Sequence, residues 1–168
     1  SQAMNAGINL TTAEEAQQIR RIIQANTAQL SGADLAAVGF YSWASALEHG
    51  IAAHHAGMLT AFKETVEQLF AQGLVKVVYA TETLALGVNM PARTVVLESL
   101  RKWDGQAHNQ LTPGQYTQLT GRAGRRGIDS IGYAVVLGAG QVEAQTVASL
   151  ASKRSYPLKS AFTPNYNM

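Results

Sequence analysis

A chain of 168 residues fits one domain of ordinary size, and its 46% hydrophobic and 14% charged residues place it among globular proteins. No apolar run approaches the roughly 20 residues needed to span a bilayer, and the absence of cysteine excludes a disulfide framework and cysteine-ligated zinc. No secretory pattern opens the chain, so a cytoplasmic location is expected, and a net charge of +2 is too small to indicate a nucleic-acid partner by itself. Any such partner must be argued from where the basic residues sit, at Arg101-Lys102 and at Arg122, Arg125 and Arg126.

Residues 1–10 carry no periodicity. Thr12 followed by Glu15 is a capping-box signature before a helical run with Ile19, Ile22, Ile23 and Leu30, expected to end near Ser31-Gly32. A second helix is expected from Leu35 to Leu47, stopping at Gly50 before the short buried strand Ile51 to Ala53 and a loop from His54 to Met58. A helix from about Thr60 carries Phe62, Val66, Leu69 and Phe70 and stops at Gly73. Val75 to Ala80, Thr94 to Leu97 and Tyr133 to Leu137 are nearly continuous apolar runs, the pattern of strands covered on both faces in a parallel sheet. Between the last two, Thr112 and Pro113 start a helix, threonine as cap and proline in the first turn. Strands alternating with helices predict an open α/β sheet whose ligands gather at the carboxyl ends of its strands, here after Ala53 and Ala80. From Lys153 to Met168 the chain turns polar and is expected to lead out of the domain.

The most informative stretch is Gln118 to Gly127, QLTGRAGRRG. If the helix begun at Pro113 continues through it, Gln118, Arg122 and Arg125 fall at i, i+4 and i+7 on one face. Two guanidiniums and an amide on one face suit a polyphosphate, since arginine offers a planar fork of donors that stays charged. A solvated basic helix end accounts for the same spacing equally well. The glycine spacing does not match a dinucleotide fingerprint.

Three segments in order carry a resemblance. QLTGRAGRRG resembles helicase motif VI, Thr81 to Pro91 (TETLALGVNMP) resembles motif V, and His54-His55-Ala56-Gly57 resembles motif IVa. With Leu100 to Gly105 (LRKWDG) between motifs V and VI, they are similar to the superkiller-type DExH helicases of superfamily 2, which include the bacterial HelY-type proteins. The resemblance covers Ile51 to Leu137, about half the chain, and implies the second RecA-like domain of such a helicase: a three-layer α/β domain with a mostly parallel sheet. It places that domain at residues 1–152, with 153–168 as the exit segment toward a following domain. The family opens this domain with a strand that residues 1–10 do not resemble, so the first strand is expected to be lacking.

The resemblance implies ATP and Mg2+ in the full-length protein, in a cleft against a first RecA-like domain of the same parent chain. Arg122 and Arg125 would contact the γ-phosphate, Arg125 as the arginine finger, with Gln118 organising the network and Gly87 and Asn89 beside the nucleotide. Thr81 would donate to a nucleic-acid phosphate, with an ordinary helix cap as its alternative. His55 and Gly57 would touch the nucleic-acid backbone, or His55 would be satisfied by its own loop. Adjacent histidines without nearby carboxylates or cysteine make a metal site unexpected. Asp104-Gly105 reads as a two-residue hairpin turn, and in the DNA-unwinding relatives a hairpin between motifs V and VI acts as a wedge. Trp103 would stack on a base, or fold down onto the domain. Arg126 is expected to be structural.

No GxxxxGK phosphate loop and no DExH box occurs in the chain, so the phosphate lysine, the magnesium carboxylate and the base for water are expected on the first domain. The fragment alone is therefore expected to bind no cofactor and to be inactive. The implied activity is ATP-driven movement along or unwinding of nucleic acid, RNA before DNA. A non-motor nucleic-acid-binding module is the rival reading, while a self-sufficient nucleotide enzyme is opposed by the missing phosphate loop.

Overall fold

The computed structural model describes residues 7–81, 90–103, 105–138 and 142–152, without the side chains of residues 33 and 34. The chain forms two compact units, Ser1–Met90 and Pro91–Met168.

In the first unit, α1 (Ala13–Thr27) begins at the expected capping box: Thr12 Oγ1 accepts from the Glu15 backbone N–H and the Glu15 carboxylate accepts from that of Thr12. This satisfies two amide donors that a helix start leaves without partners. The helix buries Ile19 and Ile23 and ends at Thr27, earlier than expected, and Leu30 lies in the turn beyond. The single helix expected from Leu35 to Leu47 is two, α2 (Gly32–Ala37) and α3 (Phe40–Glu48). Gly39 between them has φ +71°, a left-handed conformation that glycine adopts without steric penalty and that interrupts a helix. Strand β1 (Ile51–His54), helix α4 (Thr60–Ala71) and strand β2 (Val77–Ala80) follow, the strands pairing in parallel from Ile51 against Val77 to His54 against Ala80. Ile19, Leu47, Val66, Leu69 and Val75 form the centre of this core, with Trp43 stacked on Phe62 at 4.0 Å between ring centroids.

In the second unit, β3 (Thr94–Leu97) pairs in parallel with β6 (Tyr133–Val136). Between them lie the antiparallel strands β4 (Arg101–Trp103) and β5 (His108–Gln110) and helix α5 (Pro113–Thr120), and α6 (Ala144–Ser152) follows. Leu97, Leu100, Leu111, Tyr116 and Leu150 form its core. The parallel pairs bear out the α/β expectation, but β2, β3 and β6 are not covered on both faces. Tyr79 is 53% and Val96 52% exposed, while Val78, Val95 and Leu97 pack inward. Successive side chains on a strand point to opposite faces, and packing covers one of them in β2 and β3, whereas β1 buries both Ile51 and Ala52.

Candidate functional site

Helix α5 carries a second capping box, between Thr112 and Gln115, and buries Tyr116. It does not run through motif VI as expected. It ends at Thr120, and the chain continues in tight turns, Arg122 N–H donating to Leu119 O and Ala123 N–H to Thr120 O. The backbone then pairs beside β3: Ala92 N–H donates to Arg122 O at 3.0 Å and Gly124 N–H to Ala92 O at 2.7 Å. Gly124 sits at φ +88°. This non-local bridge and left-handed turn override the local helical signal, so the shared face of Gln118, Arg122 and Arg125 does not exist. Gln118 lies exposed on the last turn of α5, Arg122 in the turn after it, and Arg125 beyond Gly124. Arg126, expected to be structural, is exposed.

What orders the segment is a backbone crossing. A Cβ on Gly124 would lie 3.2 Å from Gly132 Cα, and one on Gly132 would overlap the backbone of Ala123 and Gly124. Only glycines allow chains this close. Inside the loop so closed, Ile128 and Asp129 N–H both donate to Arg125 O, at 3.1 and 2.9 Å. The Asp129 carboxylate returns the interaction three times. Its Oδ2 accepts from the Arg125 backbone N–H at 2.9 Å and from Nε at 2.8 Å, and its Oδ1 accepts from Nη2 at 2.8 Å. The Asp129 side chain is 7% exposed and that of Arg125 41%. The hydrogen bonds from the Arg125 side chain and backbone hold the Asp129 carboxyl well below the usual carboxylate range, with charge from Arg125 and Arg93 adding to the effect, and the same pair raises Arg125. Two of the five guanidinium N–H donors are engaged by the carboxylate, leaving three.

Asp129 and Arg93 were missed from sequence. Arg93 lies 6.0 Å from the centre of the Tyr133 ring, and an open depression of about 230 Å3 is lined by Arg93, Ile128, Asp129, Ser130, Ile131 and Tyr133, none of them a predicted site residue. The i, i+4 spacing of Arg125 and Asp129 was the available signal.

In the first unit, Thr81 and the loop holding His55 and Gly57 emerge together from the carboxyl ends of the paired strands, with Thr81 N–H donating to His54 O at 3.3 Å. His54 belongs to the strand rather than to the loop. Its ring is buried, with Nε2 2.9 Å from Glu67 Oε1 on α4, so the pair of histidines does have a carboxylate beside it. No group of three metal-ligating side chains occurs among the described residues. His55 is exposed, and its Nδ1 lies 3.3 Å from where a Gly57 Cβ would be, so its ring sits over its own loop. Gly87 and Asn89 lie outside the described residues.

The hairpin between motifs V and VI is present, with Trp103 opposite His108. Gly105 to Ala107 already exceed a two-residue turn between the strands, and Asp104 lies outside the described residues. Trp103 does not fold down. It is 58% exposed, with the His108 ring tilted against it at 5.2 Å, and Arg101 Nη2 donates across the strands to His108 O at 2.8 Å.

The family model described as "Helicase conserved C-terminal domain" matches residues 2–127, from the amino end through motif VI. The chain belongs to this helicase C-terminal domain family. It is 56% identical over 168 residues to "Probable helicase HelY" of Mycobacterium tuberculosis, covering 100% of this chain and 18% of that protein. It is 43% identical over 162 residues to "Superkiller complex protein 2" of Homo sapiens, covering 96% of this chain and 13% of that protein. Against "DExH-box ATP-dependent RNA helicase DExH11" of Arabidopsis thaliana it is 48% identical over 131 residues, 78% of this chain and 10% of that protein. The superkiller-type resemblance read from the three motifs is thereby shown, and the chain spans less than a fifth of these relatives' length. The matched region stops two residues short of Asp129. No helix among the described residues is long and apolar enough to cross a membrane.

Proposed function

We propose that this helicase C-terminal domain is the second motor domain of an ATP-dependent helicase acting on RNA in preference to DNA. In this reading residues 1–152 form the domain, 153–168 lead to a following one, and the parent protein works in the cytoplasm. ATP, with Mg2+ held by a first RecA-like domain, supplies the γ-phosphoryl group that is transferred to water. Arg125 presents its three remaining N–H donors to that group, and the observation that carries the reading is the bidentate hold of Asp129 on Nε and Nη2, which leaves those donors unspent. Arg122 adds a second guanidinium and Gln118 an amide, and Gly87 and Asn89 lie beside the nucleotide. Thr81, His55 and Gly57 contact the nucleic-acid backbone from the strand ends, while Trp103 offers an exposed ring to a base. RNA is favoured because the superkiller and DExH relatives include one named as an RNA helicase.

Preorganised donors aimed at developing charge stabilise a transition state more than a ground state. In the full-length protein Arg125→Ala should therefore lower kcat by about 10³ to 10⁵, with a smaller change in ATP affinity. Arg125→Lys should recover little, since a point charge on a flexible stem does not reproduce the fork. Steady-state ATP turnover with single-stranded RNA present measures both, and wild-type turnover in Arg125→Ala would sink the reading.

A further inference from the structure

We infer that Asp129 is the positioning residue for Arg125, fixing where its guanidinium stands during phosphoryl transfer. The inference rests on the reading of Arg125 as the arginine that meets the γ-phosphate.

Most exposed ion pairs between flexible side chains hold nothing in place. This one differs in three respects. The carboxylate binds the backbone and the side chain of the same residue, so both the Arg125 main chain and its guanidinium are referred to one group. The Asp129 N–H donates back to Arg125 O, so the two residues close a reciprocal ring. Asp129 itself is nearly buried, in a loop pinned where Gly124 and Gly132 cross. The bidentate grip takes Nε and Nη2, and the remaining donors are turned away from Asp129 in a fork able to meet two oxygens of an anion. The carboxylate also offsets part of the guanidinium's charge. Its contribution is therefore placement of the donors before the reaction, not added attraction for a phosphate.

That division makes a specific demand on Asp129→Asn in the full-length protein. Losing the negative charge leaves Arg125 at least as attractive to ATP in the ground state, whereas losing the bidentate grip frees the guanidinium to wander. The expected result is a kcat lower by about ten- to a hundredfold, the loss that a misplacement near 1 Å can bring, with KM for ATP unchanged or lower. Asp129→Glu, which restores two acceptor oxygens, should recover part of kcat, and Asp129→Asn should have no further effect in an Arg125→Ala background. Thermal melting of each variant identifies any that fails to fold, and Asp129→Ser, which also lacks the bidentate carboxylate, then stands in for Asp129→Asn in the same cycle. Wild-type kcat in a folded Asp129→Asn protein, while Arg125→Ala loses turnover, would overturn the inference alone. An equal loss from Asp129→Asn with and without Arg125 would overturn it too. Wild-type turnover in Arg125→Ala would instead remove the functional reading beneath it.

Discussion

Arg125 and Asp129 show how much chemistry a single carboxylate can set. Asp129 accepts three hydrogen bonds from one residue, each favouring its ionised form over the neutral acid. Its folded-state pKa is depressed, so the linked stabilisation is fully present above the ordinary value of 3.8 and is lost only as pH falls through the lower folded value. In a 13C NMR titration the Asp129 carboxyl should therefore show no midpoint between about pH 3 and 5, where unperturbed aspartates titrate. A midpoint near 4 would mean that the ion pair does not persist in solution. Residues with local signals were legible from sequence: Thr12 with Glu15 and Thr112 with Gln115 cap their helices as read. Asp129 was not, because the motif ends before it, and neither was the approach of Glu67 to His54, because helix and strand packing brings them together across the chain.

At the scale of elements, the end of α5 decides the geometry of the candidate site. Periodicity extended this helix through Arg125, but periodicity cannot register a backbone bridge to Ala92 or a glycine at positive φ. The strands were placed close to their observed ends, while their coverage was overstated, since an apolar run does not say how many faces are packed. The crossing of Gly124 and Gly132 makes its own demand. Gly132→Ala must push apart two backbones and should destabilise the protein by about 1 to 3 kcal/mol, the usual range for overpacking. Gly127→Ala meets no atom within 4 Å and bears only the strain of its φ of +77°, roughly 1 to 2 kcal/mol. Thermal unfolding with ATP turnover separates them: Gly132→Ala should lower both melting temperature and kcat. A Gly132→Ala protein as stable and active as wild type would mean that the crossing is looser than described.

For the whole molecule, family membership was the most legible property, because three short motifs in order are specific even where the conformation of one was misread. The proposed nucleic-acid binding must come from local features, since the chain carries a formal net charge of only +2. Binding of single-stranded RNA by this chain should weaken steeply with salt, as contacts to phosphate do. Trp103→Ala should lower affinity by about 1 to 3 kcal/mol without changing the salt slope, because stacking releases no counterions. A changed slope with unchanged affinity at low salt would assign Trp103 an electrostatic rather than a stacking part. These titrations, read by fluorescence anisotropy, need only the chain and an oligonucleotide.

The neck formed by Gly124 and Gly132 also bears on how this region can vary. Its closure depends on two residues without side chains and on main-chain atoms, not on the identity of what lies between them. Ile128 and Ile131 are exposed, and so are Arg126 and Ser130, so little in the core constrains them. The domain's own packing therefore leaves the rim of this loop open to substitution, while the two glycines and the Arg125–Asp129 pair form the frame to preserve when the segment is redesigned or grafted onto another scaffold.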